Sequence, residues 1–476
     1  MAAPEQQAQD AETSQLWLLR FSNSLAPISA LPPEILSLIF EFGQAIEQDD
    51  AQDSDQSEDS SLPTANLFEV LISHVSSHFR NVAISTHMLW ASIDISPARS
   101  TEEIATYLSR SNGCQLFIRI DLDGELILSA RTMAKIDMAL HHLYRYHRLT
   151  IISGRESHGN YIMHRLSGLD APTLEHLSID ICKDDAGLLA SRDVGILREG
   201  APRLSFVRLR GLAMSLFRPP LENVTTLHID QTEPLPILFE TFRRMVTASP
   251  HLANLSVYGD IINMQQTWPG SSNPVELRSL RQLRICGVGG MIYPGLLLGI
   301  NAPGLRSLVL KDVQESDLQH IWMSPGYQEL RFKFPLLRHL TFCDFEVSSE
   351  AYKNIFQVFP LITSFTTTHF TNIPRILLEL AEPTSEMNNI PWPELHTLTF
   401  LLNLSDVDLI EDVIRGRQAS GHPITRLRLG TAHSLSALQQ YGWQRHNVVV
   451  EKFDRFDQWP SASYGIDSDW DDDLFN

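Results

Sequence analysis

The 476-residue chain is predicted to be α/β: a small all-α domain, then an irregular solenoid whose short parallel strands form a curved sheet. Three observations predict this. Apolar residues recur at helical spacing within 31–43 and 68–90. From residue 171 onward one eight-residue pattern, Pro-x-Leu-x-x-Leu-x-Leu, returns again and again. Segments of helical pattern lie between its copies. The resulting organisation is a polar segment 1–26, a helical domain 27–95 with a disordered acidic insert 44–66, a link 96–166 holding the first repeat-like strands, a solenoid 167–452 and an acidic tail 453–476.

The first helix is predicted in LPPEILSLIFEFG at 31–43. Leu31 stands at the cap, and Pro32 and Pro33 fill the first turn, where a missing N–H costs nothing. Glu34 favours the exposed amides of that turn. Ile35, Leu38, Ile39 and Phe42 form one apolar stripe at 3-4-3 spacing, and Gly43 supplies a stop. A helix of about three turns is not stable alone in water, so it must pack on something. The partner is a second helix or helix pair with Phe68, Leu71, Val75, Phe79 and Val82 on one face, followed by a turn carrying Met88, Leu89 and Trp90, two or three small helices in all. So little chain leaves apolar surface uncovered, which marks a protein-binding face. The same stripes also fit an ordinary helical subdomain packed on the rest of the chain, and pattern alone leaves both open.

These residues resemble the F-box. Leu31-Pro32-Pro33-Glu34-Ile35, then Val75 with Phe79-Arg80, then Leu89-Trp90 follow that domain's succession of motifs, over roughly 65 residues including the gap. The match is similar in detail to divergent F-box proteins of mushroom-forming fungi, including Ala83-Ile84-Ser85-Thr86. Phe79 stands where the family usually has Trp, and the gap 44–66 is longer than usual. The resemblance implies a non-catalytic subunit of an SCF-type (Skp–cullin–F-box) ubiquitin ligase. Leu31, Pro32, Ile35, Ile39, Val75, Phe79 and Trp90 would bind the Skp-type adaptor subunit and, through it, the cullin. The alternative is a repeat scaffold not coupled to a ligase.

The gap carries Glu47, Asp49, Asp50, Asp53, Asp55, Glu58 and Asp59 without a basic residue, and should be disordered. A similar block, DSDWDDD, occupies 467–473. The link shows a helical YLSRS at 107–111, a strand-like CQLFIRIDL at 114–122 and HRLTIIS at 147–153.

The repeat reads PTLEHLSI from Pro172, PRLSFVRL from Pro202, PHLANLSV from Pro250, PGLRSLVL from Pro303, PLLRHLTF from Pro335, PLITSFTT from Pro360 and PELHTLTF from Pro393. Copies without that proline start at Glu222, Arg278 and His422. Spacings of roughly 20–33 residues are near those of leucine-rich repeats, and the result resembles such a solenoid. Proline ends the preceding helix and suits a strand start, and the Leu-x-Leu pair points into a core. ILFETFRRMVTA at 237–248 and VDLIEDVIRGRQ at 407–418 supply helices between strands. One unit cannot cover its own apolar face, but a stack can. The usual Asn/Cys position holds Cys182 and Asn403 but also Leu212, Asp260, Val313 and Phe345, so no continuous asparagine ladder exists. A Rossmann-like sheet is the competing reading, without a phosphate loop to support it.

Alternation puts Arg208, Arg210, Arg284, Lys311, Arg426 and Arg428, with His176, His228 and His339, on the concave face, against only Asp180 and Asp230. This basic stripe is expected to hold an acidic or phosphorylated target, because guanidinium pairs bidentately with carboxylate and phosphate. Exposed strand positions also tolerate Arg generally, and the acidic tail could neutralise the stripe.

A net charge of −20 argues against nucleic-acid or anionic-membrane partners. No apolar run approaches a membrane span. Cys114, Cys182, Cys286 and Cys343 lie far apart, which fits reduced thiols in cytoplasm or nucleus. No catalytic constellation, cofactor motif or metal set is expected: His74 and His78 lack a third ligand, and CGVGG at 286–290 lacks the last glycine of a dinucleotide fingerprint.

Overall fold

The computed structural model describes residues 26–53, 67–182, 194–233, 236–262, 273–287, 292–324, 326–343, 345, 347–367, 373–381, 390–401, 407–430 and 447–452. The chain divides into two compact units, Met1–Thr150 and Ile151–Asn476. Most of the segment 1–26, the insert from 54 to 66, Asn403 and the acidic tail from 453 lie outside the described residues.

The first unit begins with helix α1 (Pro33–Asp53), followed by α2 (Phe68–Ser73) and α3 (Ser77–Ser85), a 3-10 turn at His87–Trp90 and strand β1 (Ser92–Ile95). Helix α4 (Thr101–Arg110), strand β2 (Leu116–Asp121) and helix α5 (Ala130–Leu140) complete it before strand β3 (Tyr146–Ser153), within which the unit boundary falls. β1 and β2 pair in parallel, Ile93 beside Ile118.

Three sequence expectations are decided here. Gly43 does not stop α1, which runs on to Asp53 and so takes in the first part of the insert. The reason is long-range: a Cβ on Gly43 would meet the Phe68 ring at 2.4 Å, so glycine lets that ring close against the helix. Gly43→Val should therefore cost about 1–2 kcal/mol of stability through overpacking, partly offset by better helix propensity, as read by chemical denaturation. Of the readings helix or helix pair for the second segment, the structure has the pair. Ser76 caps α3 by accepting from the Phe79 amide at 3.1 Å, which breaks the chain after Val75. Third, the packed face of α1 is not the predicted stripe but Leu36 and Phe40, both buried. Phe40 meets Phe79 with ring centroids 5.2 Å apart.

The second unit carries strands β4 (His176–Ile181), β5 (Phe206–Gly211), β6 (Thr226–Asp230), β7 (Asn254–Tyr258), β8 (Gln282–Cys286), β9 (Ser307–Lys311), β10 (His339–Cys343), β11 (Ser364–Thr367), β12 (Thr397–Leu401), β13 (Arg426–Gly430) and β14 (Val449–Lys452). Each pairs in parallel with the next in chain order. Strand order that never reverses is the mark of a solenoid; a doubly wound sheet would change direction at a switch point. Between strands lie helices α6 (Glu156–Leu166), α7 (Phe239–Thr247), α8 (Ile292–Gly299), α9 (Glu315–Trp322), α10 (Ser349–Val358), α11 (Ile373–Ala381) and α12 (Val407–Ala419), and shorter turns. This is the mixed α/β leucine-rich-repeat architecture that the repeat predicts.

Register explains the core. Leu177, Val207, Leu227 and Leu255 stand side by side, and the row continues through Leu283, Leu308, Leu340, Phe365 and Leu398 to Leu427. All ten are buried, each contributing about 1.5–3 kcal/mol by leaving water. At the position of the missing asparagine ladder, Leu212, Val313 and Phe345 are buried instead, and Phe345 stacks on Phe342 at 3.9 Å. Backbone carbonyls in the connections find other donors. Arg417 donates to the Pro391 and Trp392 carbonyls at 2.9 and 2.8 Å, and Lys333 donates to that of Leu298. Burial pulls the Arg417 guanidinium down to about 10.

Candidate functional site

Two surfaces are candidates for function, one in each unit, the first on a helix face and the second on one face of the parallel sheet.

In the first unit, α1 is fixed by one side and open on another. Gln44 donates to the Glu69 carboxylate and the Leu89 carbonyl, both at 3.0 Å, and the Tyr107 hydroxyl donates to the same carboxylate at 2.5 Å. Ser37 shares a 2.8 Å hydrogen bond with Thr86. Burial, with Glu69 beside it, pushes the Tyr107 phenol up, so the hydroxyl stays protonated and keeps donating. With Leu36 and Phe40 inside, the helix is held in one rotational setting. That setting turns Ile35, Leu38, Ile39, Phe42 and Ile46 outward, with Phe42 69% and Ile39 42% exposed. A row of five large apolar side chains over about 16 Å of helix is a candidate protein-binding surface. Leu71 and Val75 are exposed as well.

Of the residues predicted to touch an adaptor, Ile35, Ile39 and Val75 are exposed, Pro32 is exposed and Leu31 is half-buried. Phe79 and Trp90 are not surface residues. Phe79 is packed under Phe40, and Trp90, 1% exposed, donates from Nε1 to the Ala83 carbonyl at 2.8 Å and meets Tyr107 edge-on at 5.1 Å. The Arg110 guanidinium lies over its ring at 4.3 Å. Both aromatics position the helices from behind. Ile46 was missed because the acidic gap hid it; its place four residues after Phe42 is the signal that finds it.

In the second unit, register sets a polar row beside the apolar one. Ser178, Arg208, His228, Ser256 and Arg284 are neighbours across β4 to β8, and the row ends at Arg428 and Glu451. Alternation puts Asp180, Arg210, Asp230 and Lys311, and also Arg426, on the same face. All six predicted basic residues thus share one face. Carboxylates stand beside Arg208, Arg210, Arg426 and Arg428. Arg208 Nε donates to Asp230 Oδ2 at 2.6 Å with both side chains buried, Arg210 lies 3.6 Å from Asp180, and Arg426 and Arg428 lie 3.3 and 3.7 Å from the Glu451 carboxylate. Glu451 is the acid that the sequence reading did not count. The expected open stripe is therefore a partly neutralised one, in which Arg208 is structural and Arg426, with 54% of its side chain exposed, is accessible.

Electrostatics follow from burial. Desolvation holds the His228 imidazole well below its usual range, with Arg208 pushing the same way, so it is neutral. Burial raises the Asp180 carboxyl, and Arg210 opposes that rise. Burial also pushes the Cys286 thiol up, with Asp312 adding to it. No helix among the described residues is long and apolar enough to cross a membrane.

No family profile matches the chain, and no curated protein matches it. Among solved structures, the crystal structure of a TLR13–ssRNA13 complex is similar at 12% identity and a TM-score of 0.34, covering 76% of this chain and 52% of that one. The chain spans about half the length of that protein. The repeat fold stands on the strand order and register above.

Proposed function

We propose that the protein is the substrate-recognition subunit of an SCF-type ubiquitin ligase, working in cytoplasm or nucleus. The exposed row of α1 grips a Skp-type adaptor, and the polar face of the solenoid holds a target protein. The observation that supports this reading is the setting of α1: its inner side is locked by Leu36, Phe40 and Gln44, while Ile35, Leu38, Ile39, Phe42 and Ile46 face solvent. A helix presenting spaced apolar anchors suits docking of a partner helix or groove. The F-box resemblance of Leu31 to Ile35 supplies the identity of that partner. The target chemistry is acidic or phosphorylated, since the accessible Arg426 guanidinium on the sheet face suits bidentate pairing with carboxylate or phosphate. The protein would contribute proximity between ligase and target rather than bond chemistry.

The test is co-purification of a Skp-type adaptor with the full chain. Wild type is expected to capture it, and Ile39→Glu to weaken capture by at least about 100-fold, because a charge set against an apolar anchor is left desolvated. The melting temperature should not change, since Ile39 is outside the core. Absence of capture by wild type would leave the other reading, a leucine-rich-repeat scaffold without a ligase.

A further inference from the structure

We propose that Arg281, Arg306 and Arg338 form a phosphate-binding site on the strand-entry rim of the second unit, taking a phosphorylated segment of a protein. The inference rests on the reading of this unit as the holder of a target, and adds where and by which chemistry that target is read.

Backbone geometry brings the three together. The residue just before each strand donates its amide to the carbonyl of its counterpart one repeat back, Arg306 to Arg281 at 2.8 Å and Arg338 to Arg306 at 3.0 Å. The three therefore stand on successive turns, before β8, β9 and β10, about 4.8 Å apart. The same ladder starts at Glu175, four strands before Arg281, and runs on past Arg338 through Thr363 and His396 to Thr425. Like charges side by side on neighbouring strands are destabilising, and a bound anion relieves them.

Among the described residues, no carboxylate stands within ion-pair distance of these three guanidinium groups. Glu276, close by in the chain, is paired with Arg278 at 3.9 Å and accepts from Asn301 at 2.7 Å. Glu394 lies in the turn before β12, two strands beyond Arg338. Two of the three arginines are also held in place. Arg281 Nη1 donates to the Arg278, Leu280 and Gly304 carbonyls at 3.2, 3.3 and 3.3 Å, in room that a Cβ on Gly304 would fill. Arg338 Nη1 donates to the Leu337 carbonyl at 3.0 Å. In both, Nε and Nη2 make no hydrogen bond among the described residues, and that edge can grip two oxygens of one phosphate. Arg306, between them, is exposed and makes no side-chain hydrogen bond or ion pair among the described residues. Desolvation holds the His339 imidazole at the start of β10 below its usual range, with His396, Arg306 and Arg338 pushing the same way.

A phosphate monoester brings about two negative charges and three acceptor oxygens, so one group can span two neighbouring guanidinium groups. A lone carboxylate offers less of both. Beside the row, Leu336 and Leu361 are exposed in the turns before β10 and β11. They give an aliphatic side chain a footing, which favours a phosphorylated peptide over a free phosphate.

The probe is a fluorescein-labelled peptide with two successive phosphoserines followed by two leucines, titrated with the full-length chain and read by anisotropy at low salt. The same peptide without phosphate is the reference, and inorganic phosphate is the competitor. Wild type is expected to bind the phosphorylated form at least about tenfold more tightly than the reference, and salt should weaken that binding. Arg306→Glu should weaken it at least about tenfold with the melting temperature unchanged, because Arg306 has no partner in the fold to lose. Arg203→Glu, exposed on the same rim before β5, should leave it unchanged. Equal affinity for the two peptides, or no binding to wild type, overturns the inference. So does full displacement by inorganic phosphate at the peptide's own concentration. Loss of binding in Arg426→Glu but not in Arg306→Glu overturns it too, and leaves the sheet face as the target site. Adaptor capture by the Arg306→Glu chain should match wild type, so a failure of the ligase reading registers separately.

Discussion

Arg208→Leu is expected to cost the second unit about 3–5 kcal/mol of folding stability, while Arg208→Leu with Asp230→Leu restores most of it. The two side chains are buried and joined at 2.6 Å, so neither charge has water to fall back on. Removing the guanidinium leaves a buried carboxylate without its 2.6 Å partner, beside a neutral His228 that offers it no positive charge. Removing both leaves two leucines where the sheet packs closely, a change of similar volume and no stranded charge. Denaturant unfolding of the three chains reads the coupling directly, provided the transition slope is shared. A loss below about 1 kcal/mol in the single variant would mean that water reaches Asp230. The result also bears on recognition. If Arg208 is a strut, target binding must fall on the accessible cations, with Arg426 foremost.

That division between strut and contact could not be read from sequence, and the reason is specific. Alternation within PRLSFVRLR places Arg208 and Arg210 on the polar face from local pattern alone. Whether either is buried depends on Asp230, twenty-two residues later on the neighbouring strand, and on how closely the strands' side chains pack. The repeat itself was legible because each motif leucine is forced inward by the same geometry, giving the row from Leu177 to Leu427. β14 was not, because VVVEK lacks the Pro-Leu opening, and with it Glu451 escaped the charge count. In the first unit the apolar residues from Phe68 to Val82 keep helical spacing straight through the break, so only Ser76 as a cap betrays two helices. Gly43 misled for a similar reason: its local preference says stop, while a ring from Phe68 decides otherwise.

Trp90 separates positioning from contact in the same way, and its substitution carries the other large expected effect. Trp90→Ala should cost about 3–5 kcal/mol, since a fully buried indole packed on Tyr107 leaves a cavity the short turn cannot close. Trp90→Phe keeps most of the packing but strands the Ala83 carbonyl that accepts from Nε1, for about 1–2 kcal/mol. Because the ring faces inward, Trp90→Phe should retain full adaptor capture wherever the unit is folded, and lose it only along its own lowered unfolding curve. Phe42→Glu should do the reverse, abolishing capture while the unfolding curve stays in place, because that ring faces solvent. Measuring capture and circular dichroism over the same temperature series distinguishes the two. Loss of capture by folded Trp90→Phe would mean that the indole reaches the adaptor, and that the helices rearrange to release it.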